Sequence, residues 1–145
     1  MKAKTILLAL SLAFSSMAQA QDIKFTKITP PWVTVQREGI TNLNVVISKA
    51  DNTDTKLEQL GRQLCALTAG DIATSIGIYT SVWAAKAGPE ETLSKAEQIR
   101  EGKEWVGMFR RRNGVCTLEY TSAGMSKGAG ENLEANPDFK TLQLP

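Results

Sequence analysis

The chain has 145 residues, 42% of them hydrophobic, with 17 basic and 15 acidic side chains for a net charge of +2, a size that accommodates one domain with its own core. So near-balanced a charge argues against a general affinity for nucleic acid or an anionic membrane. Histidine is absent, which excludes nucleophiles activated by histidine, histidine-bearing zinc sites and phosphohistidine relays.

Residues 1–20 read as a cleaved secretory signal: Lys2 and Lys4, an apolar run from Ile6 to Phe14, and Ala18-Gln19-Ala20 as a small-x-small cleavage site. The run is too short to span a bilayer, and no other stretch is long and apolar enough. A mature chain starting at Gln21 loses two lysines, so its charge falls to about zero. The expected location is periplasmic or secreted, with 21–122 as a single domain and 123–145 as a polar tail.

Residues 23–28 alternate apolar with polar and read as a first strand, broken at Thr29-Pro30-Pro31 because proline cannot donate to a ladder. Residues 32–38 read as a second strand, with Gly39 as a turn. Leu43, Val45 and Ile47 mark a third. Residues 55–70 carry helix start, period and stop together. Thr55 and Glu58 have capping-box spacing, Leu57, Leu60, Leu64 and Leu67 share a face, and Gly70 suits a left-handed terminus. Gly61 near that stripe implies a close approach to a sheet.

Residues 73–83 read as a strand with Ile76, Ile78 and Val82 on one face and Tyr79 and Trp83 on the other. Strand, helix and strand in succession make a β-α-β crossover. Gly88-Pro89-Glu90-Glu91 suits the start of a short second helix. Residues 105–120 form the strongest strand signal, two runs joined by Asn113-Gly114, the dipeptide of a type I′ hairpin. Pairing across that turn opposes Arg112 with Val115, Arg111 with Cys116, Phe109 with Leu118 and Gly107 with Tyr120, and puts Trp105, Phe109, Cys116, Leu118 and Tyr120 on one face. Laid under the leucine helix, that face brings Cys116 toward Cys65. A disulfide is expected between these two cysteines, the only ones in the chain, with two inert buried thiols as the alternative because Cys65 falls at the rim of the leucine stripe.

These readings predict an α+β fold: an antiparallel or mixed sheet of about five or six short strands, one long amphipathic helix on one face and a shorter second helix. No P-loop, dinucleotide fingerprint or calcium loop is present, Gly124 to Gly130 resembles a phosphate loop only superficially, and no cofactor or metal is expected. Glu38, Glu101, Glu104 and Glu119 are the carboxylates near predicted strands that could serve a histidine-free hydrolase. Lys49 beside Ser48 has no supporting pattern. Arg110, Arg111 and Arg112 at the hairpin tip, with Lys103 nearby, are the one concentrated charge feature. They suit a carboxylate, a phosphate or an acidic protein surface, or serve as a solvated, aggregation-blocking strand end. Trp32, Trp83 and Trp105 are candidate interface anchors or core residues. The expected function is an exported binding protein for a protein or anionic envelope component, working on the sheet face the helix does not cover. The alternatives are an accessory module of an envelope or secretion assembly and the carboxylate hydrolase.

Overall fold

A computed structural model describes residues 21–87, 92–129 and 132–145. The expected signal, 1–20, and the expected helix start at Gly88-Pro89-Glu90-Glu91 lie outside these residues. In chain order the elements are β1 (Phe25–Ile28), β2 (Ile40–Ile47), α1 (Asp54–Leu67), β3 (Ala73–Tyr79), α2 (Val82–Lys86), α3 (Lys95–Glu104), β4 (Trp105–Arg112), β5 (Val115–Tyr120), β6 (Ser126–Ala129), β7 (Asn132–Ala135) and β8 (Lys140–Leu144). Six strands form one mixed sheet in the order β1-β2-β3-β4-β5-β8, and β6 pairs with β7 separately. The fold is α+β. β2 and β3 run parallel as neighbours, joined by α1, and every other pair in the sheet is antiparallel.

The leucine stripe drives the packing. Leu57, Leu60 and Leu64 share one buried cluster with Ile23, Val45, Phe109, Cys116, Leu118 and Leu144. α1 lies nearest β4, β5 and β8, and Gln63 ties it to the backbone of Ile23 ahead of β1. A Cβ on Gly61 would sit 2.9 Å from Leu118 Cδ2 and 3.2 Å from Leu144 Cδ1, so the missing side chain is what lets the helix approach. Leu67, expected in the stripe, is 64% exposed. Both helix ends differ from expectation. Thr53, not Thr55, is the N-cap, its hydroxyl accepting from the Lys56 N–H. Glu58 instead accepts the Tyr120 hydroxyl. The last turn closes on Thr68, whose hydroxyl donates to the Leu64 carbonyl at 2.8 Å, and Gly70 keeps an ordinary φ.

The β4–β5 hairpin has the expected register throughout: Arg112 faces Val115, Arg111 faces Cys116, Phe109 faces Leu118 and Gly107 faces Tyr120. Positive φ at both Asn113 and Gly114 gives the turn the twist that tight hairpins need. Cys65 and Cys116 form a disulfide between α1 and this hairpin.

Other expectations are corrected. Residues 32–38 form no strand: the chain turns after Pro30, where the Val33 N–H donates back to its carbonyl at 3.0 Å, and Trp32 and Val35 are exposed. β3 ends at Tyr79, since the Ser81 hydroxyl accepts from the Ala84 N–H and starts a short helix containing Val82 and Trp83. Trp105 leaves the Phe109 face because the β3–β4 ladder shifts register between Ile78 and Tyr79. Val106 enters the core in its place, and Trp105 joins Tyr79, Ala84 and Ala85 on the opposite face. Beyond the undescribed residues 88–91, α3 starts at the Ser94 cap, in a reciprocal capping box with Glu97.

The segment 123–145 is not a tail. Met125 N–H donates to the Trp105 carbonyl at 2.7 Å, and Asn136, fully enclosed, donates through its side-chain amide to the Gly124 carbonyl at 3.0 Å. β8 then completes the sheet beside β5.

Candidate functional site

Strand alternation divides the three arginines. Successive side chains on β4 point to opposite faces, so Arg111 shares the helix face with Phe109 while Arg110 and Arg112 point to the other. Arg111 is 7% exposed. Its Nη2 donates to the Cys65 carbonyl at 2.5 Å and lies 3.4 Å from Cys65 Sγ, and its Nε donates to Thr68 Oγ1 at 3.3 Å. The Cys65 carbonyl is among the last four of α1, which have no partner within the helix. The positive guanidinium therefore caps the negative end of the helix dipole. Arg111 is a structural residue and leaves the proposed docking set.

On the open face, the registers align one residue from each of five strands: Asn42, Ser75, Arg110, Thr117 and Gln143. Four neutral hydrogen-bonding side chains thus flank one guanidinium. Arg110 is shared with Glu119 at 3.2 Å. Arg112, one row nearer the turn, has no ion-pair partner among the described residues and is exposed. Arg110, Arg112, Val115 and Thr117 line an open-sided depression of about 420 Å³. The sequence signal for Asn42, Ser75 and Thr117 is present in the strand alternation, Gln143 falls in the segment expected as a tail, and only the strand order brings the four into one row.

The structure separates Lys103 from this group. It lies on α3 before β4 begins, and the eight residues of β4 put roughly 25 Å between it and the turn. A helix-to-strand boundary that reads as proximity along the sequence is distance in space.

The four candidate carboxylates do not converge. Glu38 is exposed in the β1–β2 connection. Glu104 accepts from Ser81 Oγ at 2.5 Å and from Arg100 Nε at 3.2 Å, while Arg100 lies 4.2 Å above the Trp83 ring. Glu101 faces Tyr79, whose hydroxyl is pushed well above its ordinary range by burial and by that carboxylate. Glu119 holds Arg110. Two of the four, Glu101 and Glu104, thus serve the junction of α2, α3 and the sheet. Asn44 ties the same junction by donating to the Ala85 carbonyl at 2.8 Å.

The tryptophans divide likewise. Trp83 and Trp105 pack at this junction, with Trp105 Nε1 donating to the Gly107 carbonyl at 2.9 Å, and Trp32 alone is exposed. Ser48 caps the 3-10 turn of Lys49–Asp51. Gly124 starts the glycine-rich stretch pressed against the backbone of Lys103. Among the described residues, no three acidic, cysteine or histidine side chains gather into a metal-binding group.

No family model matches the chain, and no curated protein or solved structure is significantly similar to it.

Proposed function

We propose that this is an exported, non-enzymatic binding protein whose recognition surface is the open sheet face around Arg110 and Arg112, and whose partner presents carboxylate or phosphate groups on a protein or envelope component. The observation that carries this reading is the outward placement of Arg110 and Arg112 beside the row of Asn42, Ser75, Thr117 and Gln143. Guanidinium forks recognise planar or tetrahedral oxyanions through paired hydrogen bonds, and neutral amides and hydroxyls around them fix orientation. Export is supported by the Cys65–Cys116 disulfide, a bond that persists in oxidising compartments, together with the signal-like residues 1–20.

The test is an NMR titration of the protein with inorganic phosphate and, separately, with a short polyglutamate peptide. Shifts are expected at the Arg110 and Arg112 side chains and along the aligned row, and Arg112→Gln should weaken them. Shifts confined to other surfaces, or the same affinity in an Arg110→Gln/Arg112→Gln variant, would remove the face from the account.

A further inference from the structure

The two edges of the sheet are protected differently. β1 is four residues long, carries exposed Lys27 within it and exposed Lys24 just before it, and is followed by Pro30 and Pro31. Short strands, lysines and prolines are the usual ways an edge is kept from pairing with another chain. β8, at the opposite edge, is five residues of sequence KTLQL. Its one charge, Lys140, is drawn to Asp54 on α1 at 2.8 Å.

The hairpin turn fixes which backbone groups of β8 face outward. A two-residue turn at Asn113 and Gly114 makes Arg112 and Val115 a hydrogen-bonded pair, and such pairs alternate along the ladder. Thr117 and Glu119 therefore direct their N–H and C=O groups toward β4, while Cys116, Leu118 and Tyr120 direct theirs toward β8. Through the observed register, Lys140, Leu142 and Leu144 are bonded inward. Thr141 and Gln143 turn their backbone groups outward, and both residues are exposed.

We propose that this edge pairs with β8 of a second copy of the chain, antiparallel about a two-fold axis at Leu142. Thr141 of each copy then faces Gln143 of the other as a hydrogen-bonded pair, and Leu142 faces itself as a non-hydrogen-bonded pair, where side chains come closest. Leu142 is suited to this position: it packs against the core yet remains only half-buried at the rim, and Leu142 of the second copy covers the rest. Lys140 meets Leu144, so no like charges are opposed. The interface is isologous and closed. It joins the two sheets into one of twice the width, with both arginine faces on the same side.

Sedimentation velocity over a concentration series of the disulfide-intact protein tests this. The mass of two copies is expected at high concentration, falling to that of one copy on dilution. Gln143→Pro removes an outward N–H without breaking a bond to β5, as edge strands tolerate, and is expected to stay a single copy at every concentration with an unchanged circular dichroism spectrum. A wild-type protein that is one copy throughout, or a Gln143→Pro protein that still pairs, overturns the proposal. Hydrogen exchange on the unaltered protein gives an independent reading. The Thr141 and Gln143 amides should exchange more slowly at the pairing concentration than on dilution, and equal rates count against it.

Discussion

The guanidinium of Arg111 reaches across from the hairpin to the Cys65 carbonyl of α1, 2.5 Å away, beside the disulfide that joins the same two elements. A covalent bond and a charged hydrogen bond thus fasten one helix end to one strand pair. Both depend on strand alternation, which turns Cys116 and Arg111, directly opposed in the ladder, to the same face.

Arg111 and Arg112 should therefore behave oppositely on substitution. Arg111→Met leaves the Cys65 carbonyl without its donor and is expected to cost about 1.5–3 kcal/mol, the range for a hydrogen bond to a charged group. Arg112→Gln, at an exposed position, should stay within about 0.5 kcal/mol. Urea denaturation midpoints at constant m-value check both.

Breaking the disulfide should destabilise the fold by about 2–5 kcal/mol, since Cys65 and Cys116 are 51 residues apart. Urea melts with and without reductant give the difference. A thiol titration of the unfolded, unreduced protein should find none free.

Gly61→Ala sets two effects against each other. Alanine gains about 1 kcal/mol in helix propensity over glycine, but its methyl would sit 2.9 Å from Leu118 Cδ2. Leu118 is fully buried, and overpacking of this kind costs about 1–3 kcal/mol. Net destabilisation is expected, measured as a lower thermal midpoint. Enlarging the space with Leu118→Val should reduce the penalty in a double-mutant cycle.

Both tyrosines should titrate late. Burial first, and then the hydrogen bond to the Glu58 carboxylate, push the Tyr120 hydroxyl up to about 12. Burial and Glu101 raise Tyr79 as well. A group whose pKa is raised by folding contributes stability fully present below its unfolded value, near 10 for tyrosine, and lost as pH rises through the folded value. Stability should therefore decline between about pH 10 and 12, and ultraviolet absorbance of the native protein should show little tyrosinate below that window. Tyr120→Phe should flatten part of the decline.

What was legible in the sequence was legible where local rules agreed. Asn113-Gly114 fixed a turn, the turn fixed the register, and the register put Cys116 under a leucine stripe already visible around Cys65. The β-α-β crossover followed from order alone. The misreadings fall where two local patterns compete. Thr53 and Thr55 both offer a hydroxyl near the helix start, and the position of Tyr120, which takes up Glu58, decides between them. Val82 and Trp83 continue an apolar alternation, yet Ser81 caps a helix there. Trp105 obeys the period of β4, but a local register shift against β3, which the sequence of β4 does not announce, turns it to the other face. β8 was missed because five residues with Leu142 and Leu144 on one face are too short a signal without the strand they pair with. The arginine run was visible as charge, and its division into one capping and two outward residues required knowing which face α1 covers.

With two cysteines in the whole chain, the oxidised polypeptide has one internal pairing available and no mispaired isomer to escape from. Their positions on α1 and β5 mean that the bond, once made, holds the helix near the hairpin even when every other contact is lost. A chain refolding from the oxidised state begins with one long-range helix-to-sheet encounter already arranged, and is left to search mainly for the order of the remaining strands.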